Sequence, residues 1–366
     1  MQKGKAAPDY LLLFTTLALL IIGLIMVYSA SAAWATYRFD DSLFFAKRQF
    51  FFAGVGVVAM LFIMRIDYWT WRTWAKVLLV TCFVLLVIVL IPGVGLVRGG
   101  ARSWLGIGAF SIQPSEFMKM AMIIFLAKYL SENQKRIVSF KKGLVPSLSL
   151  LVVAFGMIML QPDLGTGTVM VGTCIVMIFV AGARISHFML LALVGVGGFV
   201  LLIASAPYRI KRITSFLDPW SDPLGTGFQI IQSLYAIGPG GLMGAGFGES
   251  RQKHFYLPEP QTDFIFAILS EELGFIGGTI VIILFGLLLW RGIRIALSSP
   301  DLYGSFLAVG IVSMISIQVM INIGVVIGLM PVTGITLPLL SYGGSSLTLM
   351  LVSIGILLNI SRHTKF

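Results

Sequence analysis

Asp263 stands in the run Gln261-Thr262-Asp263-Phe264-Ile265-Phe266, a carboxylate at the head of a long apolar stretch, and Glu271 and Glu272 follow it two helical turns later. A carboxylate in that position can take a proton from a hydroxyl, hold a cation, or simply complement a helix dipole. With Thr262 as the cap and Asp263 in the first turn, the dipole reading is the plainest, and it would lower the Asp263 pKa, which counts against a general base. Glu271 and Glu272 are harder to explain, since carboxylates inside an apolar helix suggest a wet cavity rather than a lipid-facing surface. Gly274 and Gly278 make a small-xxx-small pair suited to close helix packing.

The cations that could answer these carboxylates are scattered. Lys47 and Arg48 sit at the mouth of an apolar run, where they either snorkel to headgroups or, for Arg48, present a guanidinium fork to a phosphate. Arg102 belongs to the run Arg102-Ser103-Trp104 in a glycine-rich loop. Glu116 and Lys119, three residues apart on one helical face, can neutralise each other inside a bundle, either for function or to fix helix packing. Asp163, in Gln161-Pro162-Asp163-Leu164-Gly165-Thr166, either caps the next helix or adds a second carboxylate to the same cavity as Asp263. The segment from Tyr208 to Leu217, with Arg209, Lys211 and Arg212, reads as a basic amphipathic helix at a membrane interface. Gly238, Gly240, Gly241, Gly244, Gly246 and Gly248 could leave backbone amides free for an anion, or form an ordinary flexible loop. No strand precedes them, so a nucleotide fingerprint is unsupported.

These residues are held by a membrane-embedded chain. Of 366 residues, 58% are hydrophobic and 11% charged, with a mean hydropathy of +0.97, too apolar for a water-soluble globule. The net charge of +11 meets anionic lipid headgroups rather than nucleic acid, because no soluble domain carries a basic groove. The sequence predicts an all-α polytopic protein, a single unit over residues 1–366. Its spans fall near 10–30, 44–64, 75–91, 114–130, 144–160, 167–181, 187–206, 264–290, 305–326 and 346–360, about ten in all, with a large extracellular loop near 207–262 between the seventh and eighth. Lys and Arg concentrate in the loops holding Arg65, Arg72, Lys76, Lys135, Arg136, Lys141, Lys142, Arg184, Arg291 and Arg294. The positive-inside rule therefore puts both termini in the cytoplasm. Cys82 and Cys174 fall in apolar runs and read as packing residues without a disulfide. His187, His254 and His363 have no metal-site spacing. Asn322 is expected to bond across helices, and the Pro/Gly-rich stretch 328–346 to run non-helically at membrane depth, beside protein or a cavity.

Taken together, Arg102-Ser103-Trp104, Gln113-Pro114-Ser115-Glu116, Gln161-Pro162-Asp163-Leu164-Gly165-Thr166, Asp222-Pro223-Leu224-Gly225, Gln229-Ile230-Ile231-Gln232-Ser233, Thr262-Asp263-Phe264-Ile265-Phe266 with Glu271-Glu272-Leu273-Gly274, and Pro338-Leu339-Leu340-Ser341-Tyr342-Gly343-Gly344-Ser345 closely resemble the signature stretches of the SEDS family (shape, elongation, division and sporulation). The resemblance covers nearly the whole chain. Within the family, the short tails and the run Lys211-Arg212-Ile213-Thr214-Ser215 are most similar to the sporulation and division members, while the elongation members share most of these motifs.

That resemblance implies a peptidoglycan glycosyltransferase that polymerises lipid II on the outer face of the cell membrane, at the division septum or forespore membrane. It implies as partners lipid II and undecaprenyl-linked glycan, a class B penicillin-binding protein acting as transpeptidase, and other division or sporulation membrane proteins. It makes Asp263 the catalytic residue and gives Arg48, Arg102, Asp163, Glu116 and Lys119 as substrate-binding residues, to which the chemistry of a departing pyrophosphate adds Arg212 as a further cation. A divalent cation, Mg or Mn, with Asp263 as a ligand is the alternative to Asp263 as general base. The rival readings are a lipid II flippase, for which no internal repeat is evident, and a non-catalytic scaffold for a penicillin-binding protein.

Overall fold

The computed structural model describes residues 7–98, 101–107, 110–204 and 216–364. Long apolar runs with few breaks fold as helices because helix is the one open structure that satisfies every backbone group within lipid. Among the described residues, seven helices are long and apolar enough to cross a membrane: α1 (Tyr10–Phe39), α2 (Phe44–Ile63), α3 (Trp69–Leu90), α5 (Val145–Met159, entered through a π-helical turn over Phe140–Leu144), α9 (Ile265–Leu297), α10 (Leu302–Val326) and α11 (Gly344–Ser361). Three more, α4 (Pro114–Asn133), α6 (Leu164–Val180) and α7 (Ile185–Ala204), coincide with the remaining expected spans. The chain is a multi-pass membrane protein, and its helix α8 (Phe228–Gly240) lies in the long loop between α7 and α9.

Burial sorts the helices. α10 and α11 are the most enclosed, with Leu307, Ile311, Ile315, Leu351, Ile354 and Leu357 fully buried, whereas α2 and α3 turn Phe50, Val58, Phe62 and Val80 outward. Cys82 and Cys174 are buried free thiols, as their apolar surroundings suggested.

The glycine-rich loop before α4 is more ordered than its composition suggests. It forms an antiparallel sheet, β1 (Leu96–Arg98), β2 (Ala101–Ile107) and β3 (Phe110–Ile112), in the order β1-β2-β3. Val97 pairs with Arg102 and Leu105 with Ile112. Ser103 is buried in β2 while the residues on either side of it are partly exposed, so the strand shows no clean alternation in sequence.

Candidate functional site

Within the run 328–346, expected to be non-helical, residues 329–343 are so between α10 and α11, and they are tied to the Asp263 peptide and to the start of α2. The polar main chain of this segment is satisfied by side chains from two helices, α2 and α10, by its own Ser341 and by the main chain of the loop before α9. Asn322 of α10 donates from Nδ2 to the oxygens of Ile335 and Asp263, each at 2.8 Å. Gln49 of α2 donates to the Ser341 oxygen at 2.9 Å and accepts from the Gly343 amide at 3.2 Å. The Tyr342 amide donates to the Gln261 oxygen at 2.8 Å, and the Ser341 hydroxyl accepts from the Leu337 amide at 2.8 Å. Non-helical backbone at this depth survives only with such partners. Leu339 takes a φ of 66° here, a left-handed conformation that a leucine adopts only when its surroundings enforce it.

Asp263 sits one residue before the N-cap of α9, which is Phe264. The expected cap does not form. The Thr262 hydroxyl bonds to the Glu259 oxygen at 2.8 Å and to Asp263 Oδ1 at 2.7 Å instead. Displaced from the first turn and partly buried, the Asp263 carboxyl is pushed up from the ordinary carboxylate value by desolvation, against the lowering effect of the Thr262 bond. The dipole argument had the opposite sign, and burial outweighs it.

Arg48 lies in the first turns of α2 with its guanidinium 4.0 Å over the Phe44 ring, which stacks on Phe39 at 3.7 Å. It forms no ion pair among the described residues, unlike its neighbour Lys47, which bonds Asp41 at 2.8 Å. Phe45 packs edge-on to Tyr342 at 5.0 Å, so the N-terminal end of α2 is fastened to the same segment as Asp263.

Asp163 caps α6, accepting from the Thr166 amide at 3.1 Å, and its other oxygen accepts from Gln113 Nε2 at 2.8 Å and Ser115 Oγ at 3.0 Å. The capping reading thus holds, extended by a tie to the start of α4. A β-carbon at Gly165 would lie 2.8 Å from the Thr333 oxygen, which puts the first turn of α6 against the 329–343 segment. Arg102 lies on β2; β3 reaches α11 through the Ser345 hydroxyl, which donates to the Ser111 oxygen at 3.1 Å. Arg212 lies outside the described residues.

Glu116 and Lys119 close on each other at 2.8 Å, with Lys119 3% and Glu116 11% exposed. Beside them is a cavity of about 10 Å³ shared with Ser346 and Ser353, room for about one water. The pair is thus internal to α4, with the small cavity between it and α11.

The loop carboxylates and glycines depart furthest from expectation. Glu271 and Glu272 are not in a wet cavity but buried, 3% and 0% exposed. Glu271 accepts from the Ser250 hydroxyl and from the Arg251 amide at 2.9 Å; Glu272 accepts from Ser29 and pairs with Lys253 at 2.9 Å, which also reaches the Gly248 oxygen. They clamp the loop to α1 and α9. Gly274 is no helix-packing residue: its φ of 65° and ψ of −164° break α9. The groups freed by the break bond the glycine run, with Ala245 and Gly246 amides on the Glu271 and Glu272 oxygens at 2.9 and 3.1 Å, and Phe275 and Ile276 amides on the Gly241 and Leu242 oxygens at 2.8 and 3.2 Å. These glycine-loop amides and carbonyls are therefore already engaged. Sequence reasoning missed the parts played by Gln49, Gln261 and Lys253; the available signal was a polar residue beside or within an apolar run.

No group of three His, Cys, Asp or Glu side chains that could hold a metal occurs among the described residues. Asp263 therefore has no set of three such ligands around it among the described residues, and Glu259, which shares the Thr262 hydroxyl with it, is the carboxylate at its side.

Comparison with known proteins matches residues 10–366 to the cell cycle protein family of FtsW, RodA and SpoVE. The chain belongs to this family. It is 74% identical over 366 residues to stage V sporulation protein E of Bacillus subtilis (strain 168), covering 100% of both chains. It is 46% identical to the probable peptidoglycan glycosyltransferase FtsW of Trichlorobacter lovleyi, covering 98% of this chain and 94% of that one. Among solved structures, it is similar to a chain from a peptidoglycan synthase complex that coordinates polymerization and crosslinking, with a TM-score of 0.79, 33% identity, and 97% and 98% of the two chains covered. In this family member, the helical membrane architecture expected from the sequence is shared with that neighbour.

Proposed function

We propose that the chain is a peptidoglycan glycosyltransferase that polymerises lipid II on the outer face of the cell membrane, with Asp263 as its general base. Its full-length similarity to relatives carrying that name supports the reaction class. The observation that carries the residue assignment is an elimination. Asp163 is consumed as a cap and tie, Glu116 by Lys119, Glu271 by the loop hydroxyl and amides, and Glu272 by Lys253. Among these candidates only the Asp263 carboxylate has no partner among the described residues beyond its neighbouring threonine and its own backbone amide. A carboxylate with a raised pKa is also a stronger base than an ordinary one.

In the reaction, the 4-hydroxyl of an acceptor sugar attacks the anomeric carbon of a lipid-linked donor. The new glycosidic bond forms as the bond to undecaprenyl pyrophosphate breaks, with inversion, and the hydroxyl proton passes to Asp263. Arg48, without an ion pair among the described residues and stacked on Phe44, binds the departing pyrophosphate with Arg102 and Arg212. The basic loops support cytoplasmic termini and, with them, a site on the outer face. The neighbour from a synthase complex supports a class B penicillin-binding protein as partner, with the division septum or forespore membrane as the place of work.

Purified protein given labelled lipid II, with and without its transpeptidase, tests the proposal against Asp263→Ala. Glycan chains from the wild type and none from the variant are expected. Unchanged synthesis by Asp263→Ala refutes the residue assignment, and lipid II movement in sealed vesicles without polymerisation would favour transport.

A further inference from the structure

Asn322 is 1% exposed, in the last turns of α10. Both acceptors of its Nδ2, the main-chain oxygens of Asp263 and Ile335 at 2.8 Å, are carbonyls, which only accept, so the amide nitrogen must face them. Both of its hydrogens are thereby used. Its Oδ1 is buried with no partner among the described residues, a desolvation cost that an apolar residue would avoid. Stability alone therefore does not account for an asparagine here.

Gln49, also 1% exposed, does the corresponding work at the other end. It follows Arg48 directly, and its amide grips Ser341 and Gly343 by their main chain at 2.9 and 3.2 Å. Between them, Tyr342 bonds the Gln261 oxygen at 2.8 Å. One non-helical segment, 335–343, is thus tied at its start to the Asp263 peptide and at its end to the residue beside Arg48. The apolar side chains Leu337, Leu339 and Leu340 are buried along it, but hydrophobic burial is non-directional and does not set the rotation of a peptide group.

We infer that Asn322 and Gln49 are positioning residues, which through the 335–343 segment set the separation and orientation of Asp263 and Arg48. Neither is given a contact with substrate. The inference rests on the roles proposed above for Asp263 and Arg48, and it explains how residues from the second and eighth spans are held in register without touching each other.

The test uses the full chain with its transpeptidase and lipid II, comparing Asn322→Leu, Asn322→Asp, Gln49→Leu and Gln49→Glu. Asn322→Asp keeps the shape and removes both donors, so it and Asn322→Leu should lower kcat about 10- to 100-fold, the penalty of a misplacement near 1 Å, with KM little changed. Gln49→Leu should raise KM, because Arg48 holds the substrate pyrophosphate, and Gln49→Glu, which keeps the acceptor for Gly343, should fall between it and the wild type. Hydrogen exchange supplies a readout independent of turnover: the variants should exchange faster over 259–264 and 335–343 and as the wild type elsewhere. Wild-type exchange in these segments, or a lower melting temperature with unchanged kcat and KM per folded molecule, overturns the inference. Full activity of Asp263→Ala would refute the base assignment instead, and faster local exchange in the Asn322 variants would still show that the segment is gripped.

Discussion

Lys253 Nζ lies 2.9 Å from Glu272 Oε1, in a pair whose side chains are 7% and 0% exposed. The Ser29 hydroxyl completes it from α1 at 2.6 and 2.7 Å, so one buried charge pair joins the first span, the broken ninth helix and the loop between them. Removing a single partner strands a buried charge. Lys253→Met should therefore destabilise the protein by about 3–5 kcal/mol, read as a lower melting temperature in detergent. The double variant Lys253→Met, Glu272→Leu should recover most of that loss, since apolar replacement of both ions removes the desolvation penalty along with the attraction. Equal loss in single and double variants would mean that Glu272 matters through Ser29 alone.

Gly274 allows a sharper contrast. A β-carbon there would meet the Gly244 nitrogen at 2.3 Å, on a backbone whose φ of 65° already disfavours L side chains, whereas one at Gly278 would meet Phe266 and Ser270 at an ordinary 3.5 Å. Gly274→Ala should loosen the glycine run from α9 and expose the loop around 241–257 to protease, at a cost of at least ~1–2 kcal/mol from backbone strain alone. Gly278→Ala should leave the cleavage pattern unchanged. If both behave alike, the pairing of the loop with the broken helix is not what holds it.

These two residues also show where sequence reading succeeds and where it stops. Apolar runs report helices through length, so the spans were legible, as were Asp163 as a cap and Glu116 with Lys119 as a pair, because both depend on residues within four positions or on one helical face. Gly274 looked like helix packing because the glycine run packed against it, 241–246, is distant in sequence and bonds the helix on either side of it through main chain, which carries no side-chain signature. Glu271 and Glu272 were recognised as out of place in an apolar helix, but the loop that covers them, and so the difference between a cavity and a clamp, belongs to tertiary structure. For Asp263 the local rule gave the wrong sign, since a cap argument contains no term for burial.

Arg48 is expected to separate charge from geometry. Its guanidinium is stacked on Phe44 at 4.0 Å, and a planar fork matches two phosphate oxygens where an ammonium supplies one point charge. Arg48→Lys keeps the charge but loses the fork and weakens the stack, a conversion of about 0.5–2 kcal/mol for the cation–π contact alone. KM for lipid II should rise by about tenfold, the equivalent of 1.4 kcal/mol, and Arg48→Ala should be worse. A lysine variant with wild-type kinetics would return Arg48 to the headgroup-binding role of an ordinary interfacial cation.

Asp263 ties activity and stability together with opposite signs. Burial raises its carboxyl pKa in the native state, while the unfolded chain keeps the ordinary value, so the native state holds the proton more tightly. The group then favours folding below the ordinary carboxylate range, and that contribution is lost as pH rises through the raised native value. At neutral pH the charged form is the costly one. Asp263→Asn, neutral at every pH, should therefore raise the melting temperature at pH 7 and change it little in acid, while glycan synthesis falls by about 100- to 10,000-fold. In the wild type, synthesis should fail on acidification at a pH above that of an ordinary aspartate, because only the ionised form accepts the sugar hydroxyl proton. Melting curves of both proteins at neutral and acid pH, beside a pH–rate profile, test the two signs at once. A less stable asparagine variant at pH 7 would show that Asp263 is held charged by partners rather than strained by burial.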